Sequence, residues 1–152
     1  MFDNGRYSAA AVDPTAEINT AITAAIAAAV GAPVEFVVAF SDETTVFSAT
    51  GTKMTFTMLF GLTLDTDGLP LDLTAAPTGS AVQVDINVNA GTILSTKITV
   101  DATETSSDTA ATPAVISSRT LAVGDVITID LDAFGSTLGG AGGKQGFRGV
   151  RT

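Results

Sequence analysis

The stretch Val82-Gln83-Val84-Asp85-Ile86-Asn87-Val88-Asn89 decides the fold, because apolar and polar residues alternate through it without exception. Successive side chains of a strand point to opposite faces, so this alternation indicates an antiparallel strand with one buried face and one wet face. Ile127-Thr128-Ile129-Asp130-Leu131-Asp132 repeats the pattern. Both stretches therefore predict strands of a sheet that packs on one side only.

Short runs rich in β-branched and aromatic residues fill the rest of the chain after Pro33, with turn residues between them. Many short strands separated by turns are typical of an antiparallel β-sandwich. The sequence therefore predicts a mainly β domain. The predicted strands are 34–40, 45–49, 53–60, 62–64, 81–89, 92–95, 97–101, 114–117, 125–132 and 145–150.

The chain before the strands is organised differently. Residues 1–12 show neither helical nor strand periodicity and suit an extended arm. Asp13-Pro14 is a helix start signal, because Asp can cap free N–H groups and Pro at the first helical position sacrifices no hydrogen bond. Gly31 and Pro33 stop the pattern. We therefore expect a helix over residues 14–30.

This predicted helix carries one apolar stripe, in which isoleucines recur every four residues with alanines beside them. The stripe can pack on the chain's own sheet or pair with the same helix in other subunits, and small alanine side chains permit close approach in both cases. We expect residues 1–33 to serve attachment or oligomerisation and residues 34–152 to form the sandwich. The expected interface is Ile18, Ala21, Ile22, Ala25, Ile26, Ala29 and Val30.

The charge balance limits the partners. Seven basic residues face 16 acidic ones, a net charge of −9, whereas nucleic-acid binding needs clustered Lys and Arg. Only 15% of residues are charged, against about 25% in a typical soluble domain. We expect no nucleic-acid partner, no membrane insertion, and a surface that is partly buried against other proteins.

The residue inventory limits the chemistry. The chain contains no His, Cys or Trp, which removes the commonest general base, the commonest nitrogen ligand of metals and every thiol nucleophile. Paired carboxylates could support glycoside hydrolysis, but no spacing in the chain favours it. We expect a protein that is not an enzyme and that uses no cofactor.

Two groups of acidic residues are candidates for calcium binding. Oxygen-bearing side chains on the predicted polar faces suit Ca²⁺, although such side chains also serve as solubilising charges, and we expect no metal site. Asp65-Thr66-Asp67-Gly68 imitates the start of a calcium loop, but the required downstream Glu is missing, so we expect a turn. The strand-face candidates are Asp85, Asn87, Asn89, Asp130 and Asp132.

Residues 136–144 contain four glycines and predict a flexible loop before the last strand. They lack the full pattern of a phosphate-binding loop. Three basic residues, Lys144, Arg148 and Arg151, follow in an otherwise acidic chain. They could contact an acidic neighbour, or they could belong to an ordinary final strand with solvated ends.

Several short motifs, in a fixed order over about residues 53–150, resemble a module of tailed-bacteriophage structural proteins. They include Ala76-Pro77-Thr78-Gly79-Ser80, Val84-Asp85-Ile86-Asn87, Gly91-Thr92-Ile93-Leu94-Ser95-Thr96-Lys97, Gly124-Asp125 and Ile127-Thr128-Ile129-Asp130-Leu131-Asp132. Proteins with this module are fibres, receptor-binding subunits and capsid decoration proteins, usually jelly-roll-like sandwiches assembled into trimers. The resemblance implies a non-enzymatic virion protein that is a jelly-roll-like homotrimer.

An arm, one helix and one β-domain leave no room for a fibre shaft plus a separate receptor head. We therefore expect a capsid decoration, or cement, subunit on the capsid surface of the virion. Its partners would be copies of itself and the major capsid protein or other virion proteins. The alternative is a tail or head fibre subunit that binds a host-surface glycan through loops 101–112 and 136–143.

Overall fold

One helix precedes the strands in the computed structural model, which describes residues 14–29 and 31–152. Helix α1 spans Pro14–Ala29, as predicted. Gly31 follows it with φ of 86°, a left-handed conformation that glycine adopts without a steric penalty. The predicted arm (1–12), the cap Asp13 and Val30 lie outside the described residues.

The described strands form an antiparallel sandwich. One sheet has the order β1-β12-β3-β10, with β4 also paired to β12. The other has the order β2-β11-β5, and both β6 and β8 pair with β5, while β7 and β9 form a separate two-stranded sheet. The bounds are β1 (Pro33–Ala39), β2 (Gly51–Thr57), β3 (Leu62–Leu64), β4 (Leu71–Asp72), β5 (Val82–Val88), β6 (Gly91–Thr92), β7 (Leu94–Thr96), β8 (Ile98–Val100), β9 (Val115–Ile116), β10 (Thr120–Leu121), β11 (Val126–Ala133) and β12 (Lys144–Arg151).

The pairing is nested: strands from the start of the β-domain pair with strands from its end, and the strands between them pair in the same order inward. The outermost strands β1 and β12 pair with each other along seven residues, from Pro33 opposite Val150 to Ala39 opposite Lys144. Inside them β2 pairs with β11, β3 with β10, and β5 with β8. Successive pairs lie in alternate sheets. Each sheet therefore combines strands from both halves of the sequence.

The two alternating stretches face the core as predicted. Val82, Val84 and Ile86 of β5 are fully buried, and so are Ile127, Ile129 and Leu131 of β11. Ile86 lies opposite Ile129 in the β5–β11 pairing. The polar residues between them point to the outer face of the sheet, because side chains alternate along a strand.

A phenylalanine cluster joins the two sheets where β1 and β2 form their edges. Phe36 of β1 stacks on Phe147 of β12 with ring centroids 5.0 Å apart. Phe56 and Phe60 meet Phe36 edge to face, at 6.3 and 6.0 Å. Stacked and edge-to-face rings are the favourable arrangements of aromatic pairs. The cluster therefore ties the first and last strands to the opposite sheet.

The predicted strand over residues 45–49 is wrong. This segment contains no strand, and Phe47 is buried within it by stacking on Phe40 with ring centroids 5.9 Å apart. The Phe47 N–H donates to the Gly140 carbonyl at 2.8 Å. A loop can thus bury one aromatic residue without pairing in a sheet. The two-residue strands β4 and β10 were not predicted, because two residues are too short to show a periodicity.

The glycine-rich segment is the predicted loop between β11 and β12, and its four glycines are buried. Residues 139–143 are buried, and Ala141 forms a bridge with Ala75. A Cβ on Gly139 would lie 2.0 Å from the Phe47 carbonyl oxygen, and one on Gly143 would lie 2.3 Å from the Phe40 ring. The missing side chains let this backbone pack closely against its neighbours.

Candidate functional site: the exposed helix and the final strand

The predicted isoleucine stripe is exposed on α1. Ile18, Ile22 and Ile26 retain 57%, 51% and 59% of their surface, and Ala21 and Ala25 are also exposed. Every helix residue from 17 to 26 is exposed. The stripe therefore does not pack on the chain's own sheet, so that interpretation is wrong. Pairing with other subunits remains a prediction; the side chain of Ala29 and all of Val30 lie outside the described residues.

This helix has few sources of stability of its own. It is 16 residues long, only just above the length of about 12–15 residues below which isolated helices are marginal in water even when rich in alanine. Glu17 in the first turn interacts favourably with the helix dipole, but no basic residue lies in the last turn. Further stabilisation of α1 requires that its apolar stripe be covered.

The basic residues of the last strand are engaged within the chain. Lys144 Nζ lies 2.9 Å from Glu43 Oε1. The Arg148 guanidinium donates to Glu35 Oε1 at 3.2 Å, which raises the Arg148 pKa, and it also lies 4.0 Å from Asp67. A contact of these residues with an acidic neighbour remains a prediction.

Two further contacts involve the two ends of β12. The Thr74 hydroxyl donates to Glu43 and, together with Lys144, lowers the pKa of the Glu43 carboxyl. The Arg151 guanidinium lies 5.4 Å from the centre of the Phe60 ring, within the range of a cation–π contact. The alternating pattern of β1 places Glu35 on the exposed face of the strand, and the pairing places it opposite Arg148. The sequence analysis did not identify Glu35 as a partner of Arg148.

A cleft of about 420 Å³ lies beside Arg148. Arg148 and Asp67 supply opposite charges to its wall, and the Ser107 hydroxyl in the wall accepts the Leu71 N–H at 2.8 Å. The lining of the cleft thus combines charged and hydroxyl groups with apolar side chains. Its lining is Thr66, Asp67, Leu69, Pro70, Ser107, Asp108, Pro113, Ala114, Ile116 and Arg148.

The polar residues on the outer face of the second sheet pair mainly with one another. Asn87 Nδ2 donates to Asp130 Oδ2 at 2.6 Å, and Thr92 Oγ1 donates to Asp85 Oδ1 at 2.6 Å. Lys97 Nζ lies 2.6 Å from Asp132 Oδ2.

The same short contact raises the Lys97 pKa through its hydrogen bond to Asp132. At the end of this face, Asn89 Nδ2 donates to Asp125 Oδ1 at 2.8 Å. Within residues 14–29 and 31–152, no three or more Asp or Glu side chains are grouped so that they could hold a metal ion.

The Asp65–Gly68 segment forms the predicted turn. The Gly68 N–H donates to the Asp65 carbonyl at 3.1 Å, and a Cβ on Gly68 would lie 2.4 Å from the Arg148 carbonyl oxygen. This turn carries Thr66 and Asp67 into the wall of the cleft.

In the described part of the chain, no helix is both long and apolar enough to cross a membrane. No protein-family model, no curated protein and no solved structure matches the chain.

Proposed function

We propose that the chain is a non-enzymatic structural subunit of a bacteriophage virion that associates with copies of itself through α1. The observation that carries this proposal is the exposed stripe of Ile18, Ile22 and Ile26 on a helix beside a sandwich that buries its own core. Burial of a large aliphatic side chain is worth about 1.5–3 kcal/mol. Covering the three isoleucines therefore favours association.

The phage assignment rests on the ordered motifs from Ala76 to Asp132. The nested pairing of β1–β12, β2–β11, β3–β10 and β5–β8 supports it, and from this nesting we infer a jelly roll. The lack of His and Cys supports the non-enzymatic part of the proposal. Hydrolysis of a host polysaccharide by the purified chain would contradict that part.

In this proposal the chain is a capsid decoration subunit, and homotrimers bind the major capsid protein on the head surface. A decoration subunit that binds only the assembled lattice favours the assembled state by its binding free energy. A trimer with three attachment points binds the lattice more tightly than a single weak contact would. The reason is that the second and third contacts form within a complex that already exists.

Two measurements test the proposal. Equilibrium sedimentation of the full chain should give three times its 15.3 kDa mass, and a monomeric mass at all concentrations would contradict self-association. Gold-labelled chain should bind over the whole head of particles from the phage whose genome encodes it. Label confined to the tail tip would contradict decoration.

A second candidate function is a fibre subunit that binds a host glycan. The cleft beside Arg148 favours it, because paired guanidinium and carboxylate groups can bind sugar hydroxyls. The predicted loop 101–112 contributes Ser107 and Asp108, whereas no residue of 136–143 lines the cleft. No aromatic residue lines it for stacking on a sugar ring, so we place this function second.

A glycan array probed with the full chain tests this second function. Asp67→Asn should weaken any specific signal, whereas Asp132→Asn, on the other sheet, should leave it unchanged. Equal signals from both variants would show that the cleft is not the binding site.

A further inference from the structure

Strand β1 has a long edge that none of the described strands covers. Within the described part of the chain β1 pairs with β12 alone, and it lies at the end of its sheet. The side chains of Glu35, Val37 and Ala39 are exposed, and Val37 retains 61% of its surface. An uncovered strand edge presents a row of N–H and C=O groups that can pair with another strand.

The pairing with β12 shows which backbone groups of β1 point to this edge. The Phe40 N–H donates to the Gly143 carbonyl at 3.0 Å, so these two residues form a hydrogen-bonded pair of the ladder. In an antiparallel ladder such pairs alternate with pairs that exchange no hydrogen bond. Every second residue back from Phe40 therefore bonds to β12, and the residues between them direct their N–H and C=O groups outwards. The outward residues are Glu35, Val37 and Ala39.

The other long edge of the sandwich is less suited to pairing. Strand β2 ends the second sheet, but its pairing with β11 shifts register between Ile129 and Asp130. It also carries Lys53, whose ammonium donates to the Ala49 carbonyl at 2.7 Å. Irregular pairing and lysine side chains protect a strand edge from other chains. By contrast, β1 keeps one register along its length, and its one charged residue is Glu35.

The sequence of β1 is complementary to itself in the antiparallel direction. A two-fold axis at Val37 places Val37 of the two copies opposite each other, and Glu35 of one copy opposite Ala39 of the other. The outward backbone groups of these residues then form about six hydrogen bonds between the copies. Valine packs well against a neighbour across strands. The two acidic residues that follow β1 fall beyond Pro33 of the other copy, so no two carboxylates oppose each other.

Opposite charges also align across this pairing. Lys144 lies beside Ala39 on the same face, because the two residues pair within one copy. Two strand spacings, about 10 Å, therefore separate the Cα atoms of Lys144 and of Glu35 in the other copy. The two long side chains are 40% and 55% exposed, and only the small side chain of Ala39 lies between them. The ammonium and the carboxylate can thus approach each other across the subunit boundary.

We infer that β1 pairs with β1 of a second copy of this chain, so that two sandwiches share one continuous sheet. This contact goes beyond the proposed association through α1. Because the paired strands are antiparallel, the two Pro33 residues and the helices before them lie at opposite ends of the pairing. A pair of seven-residue strands is weak by itself. The contact therefore links oligomers that have already assembled through α1.

Chemical cross-linking tests the contact in the Ile22→Asp chain, in which a charge in the apolar stripe removes association through α1. The chain contains no cysteine, so Val37→Cys adds a single thiol. A short bismaleimide should join two copies through this thiol. Val123→Cys is the control, since Val123 is 70% exposed and lies outside β1. It should cross-link about tenfold more slowly, and equal rates would overturn the inference.

Amide hydrogen exchange of the same Ile22→Asp chain tests the contact without a change in β1. The three outward amides of β1 should exchange more slowly as the concentration rises. The Met58 N–H donates to the Asp125 carbonyl at 2.9 Å, so the same alternation turns the Thr55 and Thr57 N–H groups outwards on β2. Exchange at these two residues should not change, and the same response at both edges would overturn the inference.

The test is independent of the helix. If the wild-type chain associates no better than Ile22→Asp, the proposed association through α1 fails. Slower exchange confined to the β1 edge would still support strand pairing in that case.

Discussion

Asp85 of β5 and Asp130 of β11 lie directly opposite each other on the outer face of the second sheet. Asp85 accepts a side-chain hydrogen bond from Thr92, and Asp130 Oδ2 accepts two, from Asn87 at 2.6 Å and from Thr128 at 3.4 Å. The second oxygen of Asp130, Oδ1, is buried without a hydrogen-bond partner among the described residues. Like charges at opposed positions destabilise a sheet, so this pair lowers the stability of the sandwich.

Asp130→Asn should raise the free energy of unfolding at neutral pH by about 0.5–1 kcal/mol. The amide can still accept the hydrogen bond from Asn87, and it can donate to Asp85. Denaturant unfolding of the full chain measures the change. Asp132→Asn is the matched control, because it removes the exposed ion pair with Lys97 and should cost about 0–1 kcal/mol. A stability loss in Asp130→Asn would contradict the prediction.

Gly139→Ala should destabilise the chain by about 2–3 kcal/mol. The added Cβ would lie 2.0 Å from the Phe47 carbonyl oxygen, and backbone on both sides is held by the hydrogen bond from Phe47 to Gly140. Gly91→Ala should change stability by less than about 0.5 kcal/mol, because its nearest contact would be at 3.6 Å. Thermal unfolding compares the two, and equal midpoints would contradict close packing at Gly139.

Asp42 should give the chain an acid-sensitive loop. Hydrogen bonds from the Thr45 and Thr44 N–H groups lower its pKa from 3.8 to about 2. A carboxyl with a lowered folded pKa stabilises the protein above its unfolded pKa and loses that effect as the pH falls towards the folded value. The contribution should therefore be complete above about pH 4 and disappear towards pH 2.

Carbon-detected titration of the Asp42 carboxyl by NMR checks this pKa. Asp42→Asn should unfold at a lower temperature than the wild type at neutral pH, and the difference should shrink between pH 4 and pH 2. A difference that does not vary with pH would contradict the role of the ionised carboxylate.

Ile22→Asp should weaken self-association by at least about tenfold, since it places a charge in the centre of the apolar stripe. The sandwich should keep its unfolding temperature, because Ile22 is exposed and contacts no part of the core. Thr23→Asp is the control, with the same charge on the same turn but outside the stripe. Sedimentation measures both variants, and equal association would contradict the stripe as the interface.

The strand pattern could be predicted from the sequence where burial is one-sided. The alternation around Ile86 and Ile129 has a period of two. This period directly assigns each residue to the buried or to the exposed face of the sheet. The helix was equally visible, because Asp13-Pro14 and Gly31 bound an apolar stripe. These features depend only on residues that are close together in the sequence.

Features that depend on distant residues could not be predicted. The glycines at 139 and 143 have the composition of a mobile linker, and only the positions of Phe47 and Phe40 show that they are packing sites. The ion pair of Arg148 with Glu35 depends on the register of β1 against β12. The exposure of Leu59, which lies between β2 and β3 and retains 85% of its surface, likewise depends on how that loop folds back on the sandwich.

The nested strand pairing also sets the order in which parts of the chain can fold during synthesis. Pro33 pairs with Val150, so β1 leaves the ribosome long before its partner exists. Helix α1 needs only local hydrogen bonds, so it can form, with marginal stability, before β12 is made. A nascent chain can therefore display the exposed stripe of α1 while the sandwich is still open, and under the proposed self-association two nascent copies can meet before either core has closed.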